Sequence, residues 1–267
     1  MQKSVIVIAL AGLFSLPVLA EEAGPTSPFS FNVGVVSDYL FRGISQTHGD
    51  AALQGGVDYA HPGGFYLGAW GSTISWVKDY TGKGNTELDL YGGYKSAFAG
   101  GDWSYDVGAI AYIYSNHGPA NAFGANPNTT EIYGAIGYKT FTVKYSRAIS
   151  DHFIGWYSAS GGSTRGSGYL EANYSLDLGD GWGLAAHVGH QKVRDLGVAD
   201  YTDVKLGVTK DVGFGVVGLS YSDTNAKGKP GETYSWPNSG FVAGAGSTSG
   251  FSNVAKGKAV LSFTKTF

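Results

Sequence analysis

KGKAVLSFTKTF, residues 256–267, is the last stretch of the chain and the one whose reading decides the fold. Counted in twos from its end, Phe267, Lys265, Phe263, Leu261 and Ala259 make one face, apolar at every position but Lys265. Thr266, Thr264, Ser262, Val260 and Lys258 make the other, mostly polar. A two-residue period with one apolar and one wet face belongs to a β-strand. A strand that runs to the final residue and ends on an aromatic suits a sheet closed on itself, whose last strand pairs with its first so that no edge remains.

Working back from that strand, the same alternation marks twelve segments: 29–41, 51–60, 65–75, 86–97, 103–114, 130–139, 141–150, 168–177, 182–192, 201–210, 214–223 and 257–267. Each is close to the nine to eleven residues or so that cross a bilayer at barrel tilt. The connections alternate too. His61-Pro62-Gly63-Gly64, Ala99-Gly100-Gly101-Asp102, Lys139-Thr140, Gly179-Asp180-Gly181 and Asp211-Val212-Gly213 read as tight hairpin turns. Between them lie the longer connections 42–50, 76–85, 115–129, 151–167, 193–200 and 224–256. Short turns at one end and long loops at the other predict an all-β fold: a transmembrane antiparallel up-and-down barrel of about twelve strands, with periplasmic turns and extracellular loops.

The strand faces fix the register. Leu88, Leu90 and Tyr94 oppose Glu87, Asp89 and Lys95; Ile132, Ile136 and Tyr138 oppose Glu131 and Lys139. Leu170, Ala172, Tyr174 and Leu176 oppose Glu171, Asn173 and Asp177, and Val204, Leu206 and Val208 oppose Asp203 and Lys205. A Lys or Arg on the lipid face near the midplane costs about 2–4 kcal/mol, so the charged face is expected inside. A slip of one residue would reverse every such position. A soluble sandwich or barrel with its apolar face inside explains single strands equally well, but not their lengths or the closing Phe267. Trp103, Trp182, Phe65, Phe141 and Phe214 each begin a segment just after a short turn, the level of an interfacial aromatic belt.

The chain's 43 glycines, 18 tyrosines, 14 phenylalanines and six tryptophans suit twisted strands with girdles better than helices. Lys3, the apolar run Ser4–Leu16 and Val18-Leu19-Ala20 read as a secretory leader over 1–20, cleaved before Glu21. A linker, 21–28, then leads to a single barrel domain, 29–267. The remainder has no apolar run long enough for a transmembrane helix. Cysteine is absent, so neither a disulfide nor a lipidated cysteine is available. The formal charge of −3 is too mild and too evenly spread for a nucleic-acid partner.

Asn32-Val33-Gly34-Val35-Val36-Ser37-Asp38-Tyr39-Leu40-Phe41-Arg42-Gly43-Ile44-Ser45-Gln46-Thr47 resembles the signature of the TorF family of putative porins. Gln54–Tyr59, Gly64–Ser72 and Glu87–Tyr94 continue the pattern, so the resemblance is carried by residues 29–95. It implies an outer-membrane barrel with a proposed pore function, and supplies no substrate and no catalytic residues. Phe267, Phe263 and Leu261 also resemble the assembly signal of bacterial outer-membrane proteins, from which Lys265 departs. The partners then expected are outer-membrane lipid, the barrel assembly machinery and small solutes.

On strand parity the lumen candidates are Asp38 and Arg42 on the first strand, Gln54 and Asp58 on the second, and Glu87, Asp89, Lys95, Asp106, Glu131, Lys144, Glu171, Asp203 and Lys205 beyond. They make either a charge filter or a set of mutually satisfied pairs that plug a narrow barrel. About eight strands leave an interior filled by side chains and about 16–18 leave a channel, so twelve lies between. With only four arginines, the lumen is not built for acidic oligosaccharides, and its acidic excess favours neutral or cationic solutes. An enzyme would need a serine, a histidine and an acid on one face. His187 and His190 lie three apart, on opposite faces, and no G-x-S-x-G occurs. The scattered histidines give no metal-ligand spacing, Gly161-Gly162-Ser163 precedes no helix that would cradle phosphate, and no cofactor is implied. The loop 224–256, with Tyr234, Trp236 and Phe241, either binds a ligand outside, as in an adhesin, or folds inward. The expected function is a passive channel for small hydrophilic solutes; the alternative is a non-conducting structural or adhesin-type barrel.

Overall fold

The computed structural model describes residues 27–115, 117, 125–238 and 250–267. The leader expected over 1–20, residues 21–26 of the expected linker and Phe241 lie outside the described residues. The elements in chain order are β1 (Phe29–Val36), β2 (Leu40–Phe41), β3 (Ile44–Ser45), β4 (Ala52–Ala60), β5 (Phe65–Thr73), α1 (Trp76–Thr81), β6 (Thr86–Phe98), β7 (Trp103–Tyr114) and β8 (Thr129–Tyr138). They continue with β9 (Phe141–Ala148), β10 (Gly168–Gly179), β11 (Trp182–Lys192), β12 (Tyr201–Asp211), β13 (Val216–Thr224), β14 (Ser235–Pro237), β15 (Phe251–Asn253) and β16 (Lys258–Thr266).

β1, β4 to β13 and β16 form one closed antiparallel barrel, each hairpin partner its neighbour. The final strand closes it. β16 pairs β1 with Val35 opposite Phe263, and Phe31 and Phe267 exchange N–H···O bonds of 3.3 and 2.8 Å. From Phe31 to Val36 the seam is thereby paired strand to strand, as crossing hydrocarbon requires.

The alternation has the sense that charge cost demands. Leu53, Leu67, Leu206, Leu219 and Leu261 are each more than half exposed on the outside. Glu87, Glu131, Glu171 and Asp203, on the opposite parity, are 0–2% exposed. A surface that greasy suits lipid, not water. Phe65, Trp103, Phe141, Trp182 and Phe214 stand exposed at the turn end, where Phe65 meets Tyr94 at 4.9 Å and Trp103 meets Tyr138 at 4.8 Å. Lys265 stays near that end, with its ammonium 5.0 Å from the centre of the Phe267 ring. That position lets a long cationic side chain keep its head out of the apolar belt.

One strand boundary is corrected. The first segment, expected over 29–41, stops at Val36, so Asp38 and Arg42 do not continue its face. Beyond Val36 the chain turns inward as the short hairpin β2–β3, with Arg42 (φ 49°) and Gly43 (φ 78°) both left-handed at its tip. Gly43 is required there: a Cβ would sit 2.5 Å from Thr224 Cγ2 and 2.9 Å from Asp203 Cβ. The long connections also carry α1 and the β14–β15 ribbon, neither of which joins the barrel.

Candidate functional site

The interior has a cap and a polar throat. At the loop end, side chains from the long connections pack on one another across the mouth. Trp76 of α1 meets Tyr114 at 5.0 Å and Trp236 of β14 at 5.8 Å, and Phe41 meets Tyr112 edge-on at 5.4 Å. Tyr234 packs on Tyr201 at 5.3 Å and donates its hydroxyl to the Ala199 carbonyl at 2.7 Å. Tyr234 and Trp236 are thus buried in the mouth, and this part of 224–256 folds inward. Burial of Tyr80 and Tyr234 raises both phenols above the ordinary tyrosine range.

Beneath the cap, Arg42 crosses the lumen. Its guanidinium donates to Glu131 Oε1 at 3.1 Å and Oε2 at 2.6 Å, and to Gln191 Oε1 at 2.7 Å. Its Cζ lies 4.2 Å from the centre of the Tyr169 ring. Arg42 is 2% and Glu131 0% exposed, so this is a buried, forked ion pair between a loop and β8, with β11 as second anchor. Burial alone would lower the Arg42 pKa; the charge and hydrogen bonds of Glu131 outweigh it and raise it, so the guanidinium stays charged. At the base of the same hairpin, Asp38 accepts from Ser45 Oγ (2.6 Å), Thr47 Oγ1 (2.9 Å) and Lys258 Nζ (2.5 Å). The strap 37–50 is therefore held at both its base and its tip.

A second network lines β9 to β12. His187 lies 2.7 Å from Asn173 Oδ1 through Nδ1, and 2.9 Å from both Tyr169 Oη and Asp203 Oδ2 through Nε2. Tyr169 donates to Asp203 Oδ1 at 2.8 Å, Asn173 to Glu171 Oε2 at 3.0 Å, and Lys144 stands 3.9 Å from Glu171 Oε1. Tyr169 lies flat because its neighbour is Gly189, where a Cβ would fall 1.9 Å from the phenol oxygen. Nearer the turn end, Tyr66 donates to Asp106 at 2.6 Å and touches the Tyr133 hydroxyl, while Tyr91 donates to Asp58 at 2.5 Å. Lys95 is exposed there.

The structure thus places Gln54, Asp58, Glu87, Asp89, Lys95, Asp106, Glu131, Lys144, Glu171, Asp203 and Lys205 on interior-facing strand positions, and brings Arg42 to Glu131 from outside the strands. Glu171, Lys144 and Asp203 join one network; Asp58 and Asp106 join tyrosines instead of cations. Tyr39, Tyr169, His187, Gln191 and Lys258 complete these networks and were not among the sequence candidates. The register of the hairpin closed by Gly179-Asp180-Gly181, which sets Asn173 opposite His187, was the signal for part of this. Among the described residues, no group of three or more His, Cys, Asp or Glu side chains is arranged for a metal ion.

A twelve-stranded closed barrel with an apolar outside and a charged, loop-capped inside defines the class as the porin type of outer-membrane barrel. Solved structures share its architecture. The KdgM porin superposes with a TM-score of 0.53 at 7% identity over 89% of this chain and 99% of its own. KdgM in complex with disordered oligogalacturonate gives 0.51 at 7% identity (90% and 98%), and the NanC porin 0.50 at 9% (89% and 97%). At those identities the likeness is one of fold. Residues 21–267 match the model of the family described as a bacterial protein of unknown function, Gcw_chp, and the chain belongs to that family. No curated protein matches it in sequence.

Proposed function

We propose that the protein is a porin-like channel of the bacterial outer membrane, passing small hydrophilic solutes, neutral or cationic, by passive diffusion. The supporting observation is the sorting of side chains: leucines and aromatics outside, and a lumen whose sequence-named positions carry more carboxylates than cations. The TorF resemblance and the leader expected at residues 1–20 agree with it. One structural neighbour was solved with oligogalacturonate, a polyanion. The acid-rich wall here would repel such a solute, and Arg42, the cation at the strap tip, is spent on Glu131. Leu261, Phe263 and Phe267, at the closing seam, are the positions through which the assembly machinery would read the chain.

The test is a planar-bilayer measurement on the purified protein in a salt gradient. Conductance with a reversal potential of cation sign is expected; clear anion preference refutes the reading. A second reading, a non-conducting structural or adhesin-type barrel, is favoured by one observation, the aromatic cap packed across the mouth. It predicts no conductance and no solute flux into liposomes. Catalysis finds little support, since both ring nitrogens of His187 are already engaged by Asn173, Tyr169 and Asp203.

A further inference from the structure

Arg42 is in the lumen; the chain's other three arginines, Arg147, Arg165 and Arg194, gather outside it. β9 and β11 reach the loop end of the barrel at Arg147 and Lys192, both exposed. Gly168, the first residue of β10, pairs with both, so the three stand in one row. Arg147 also pairs with Ile132, 47% exposed on the outside, which puts the row on the lipid-facing parity. With neighbouring strands about 5 Å apart, the backbones of the two cations flank Gly168 at a separation of about 10 Å. A hydroxyl lies between them: a Cβ on Gly168 would fall 2.5 Å from Tyr145 Oη and 3.0 Å from Tyr145 Cε2. That phenol is 47% exposed and forms no hydrogen bond among the described residues.

The loops above add charge to the same spot. A Cβ on Gly166 would meet Arg147 Nη2 at 3.3 Å and Arg194 Cδ at 3.6 Å, so these two side chains converge there. Arg194 Nη1 donates to the Arg165 carbonyl at 3.1 Å, tying the loop 193–200 to the loop 151–167. The carboxylates of these loops do not balance the group. Asp195 stands 3.4 Å from Arg194 Nε and Asp200 accepts from the Val193 N–H, whereas no described ion pair includes Arg147, Arg165 or Lys192. Beneath the row, toward the turn end, the outer wall is apolar: Leu170, Val188, Val204 and Leu206 are each 46–59% exposed. A cation on the lipid face is tolerated near the bilayer interface and not at its midplane, so the row marks the level of lipid headgroups.

We propose that Arg147, Tyr145 and Lys192, with Arg194 above them, bind the phosphate of a phosphorylated lipid of the outer leaflet, whose acyl chains lie along Leu170, Val188 and Val204. A guanidinium forks a phosphate, an ammonium adds a point charge, and the free phenol supplies a third donor. The phosphate relieves the repulsion among cations that no carboxylate offsets. The apolar wall directly beneath is what selects a lipid over a soluble anion. The inference rests on the outer-membrane placement proposed above and does not require that the lumen conduct.

The test titrates the full chain in detergent with lipid A, a phosphorylated glycolipid, and counts bound lipid by native mass spectrometry; phosphatidylcholine and inorganic phosphate are the comparisons. Lipid A should bind in preference to phosphatidylcholine. Its binding should weaken about tenfold or more in R147Q/K192Q and about threefold in Y145F. It should be unchanged in K227Q/K229Q, which loses the same charge from the connection between β13 and β14. Should R147Q/K192Q not fold, Y145F, which removes one exposed hydroxyl, carries the test. No preference for lipid A, unchanged binding in the folded site variants, equal weakening in K227Q/K229Q, or displacement of lipid A by an equal concentration of inorganic phosphate overturns the proposal. Insertion into phosphatidylcholine vesicles is checked separately: a wild-type chain that does not insert overturns the outer-membrane reading as well, and one that inserts without binding lipid A overturns this inference alone.

Discussion

Arg42→Ala removes the bridge that pins the strap across the lumen. Glu131, 0% exposed, would be left without its partner, and breaking a buried ion pair by deleting one side costs about 3–5 kcal/mol. Loss of the Tyr169 stack adds about 1–2 kcal/mol. The strap has an escape that a barrel strand lacks: it can leave, letting water reach Glu131. The loss therefore appears mainly as release of the strap tip, its base still held by Asp38, and not as unfolding of the barrel. Contacts worth about 4 kcal/mol, the lower end of this loss, correspond to one released tip in roughly a thousand molecules; Arg42→Ala removes them and shifts the tip towards the released state. In single-channel recording the variant should show larger, noisier conductance, and the strap should become open to protease. Glu131→Gln should do much the same, and the double variant no more than either, because both act on one contact. Wild-type conductance and protection in Arg42→Ala, or additive effects of the two changes, would refute the reasoning.

Three further outcomes are expected. Leu206→Arg, at a lipid-facing position 59% exposed, should cost about 2–4 kcal/mol in bilayer refolding titrations, and Leu206→Ala far less. Gly189→Ala should push Tyr169 off the wall, breaking its bonds to His187 and Asp203 and costing about 1–3 kcal/mol by the same titration. The cap should loosen in alkali. Burial, with the charges of Glu87 and Asp89 for Tyr39, raises Tyr39, Tyr80 and Tyr234 above their unfolded value of 10.0. A phenol that holds its proton more tightly when folded contributes its full stability below pH 10 and loses it as pH rises beyond. Protease protection of the loops should therefore fall above about pH 10 while the barrel core persists.

The barrel itself was legible because its physics is local. Alternation within each strand and tight turns between strands are carried by residues a few positions apart, and all twelve strands lie where the period-two pattern puts them. The first strand overran because Ser37-Asp38-Tyr39-Leu40-Phe41 mixes polar and apolar residues much as a strand would. What bends the chain inward is the left-handed pair Arg42-Gly43 and the partners awaiting it, 89 and 149 residues away at Glu131 and Gln191. No periodicity encodes a contact of that range. The helix α1 was equally hidden: six residues give less than two turns, too few for a face to declare itself, and its stability comes from Trp76 packing on Tyr114 and Trp236.

The abundance of glycine and tyrosine, at first a compositional oddity, follows from the same geometry. Tyr91 lies over Gly68, Tyr133 over Gly108 and Tyr169 over Gly189, each ring filling the space a neighbour's Cβ would need. These rings belong to β6, β8 and β10, and with the acids and the Arg42 bridge they crowd one side of the lumen. The other side, on β13, β16, β1 and β4, turns small residues inward: Gly218 and Ser220, Ser262, Gly34 and Gly56. A recess beneath the strap lies against that wall, bordered by Asp38, Gln54, Lys205, Ser220 and Ser262. Crowding one wall and clearing the other is how twelve strands, too few for a wide water-filled tube, leave any room beside a plug. The strap therefore decides more than the barrel does, since its tip is tied to the crowded wall through Arg42 and Glu131 and its base to the open wall through Asp38 and Lys258.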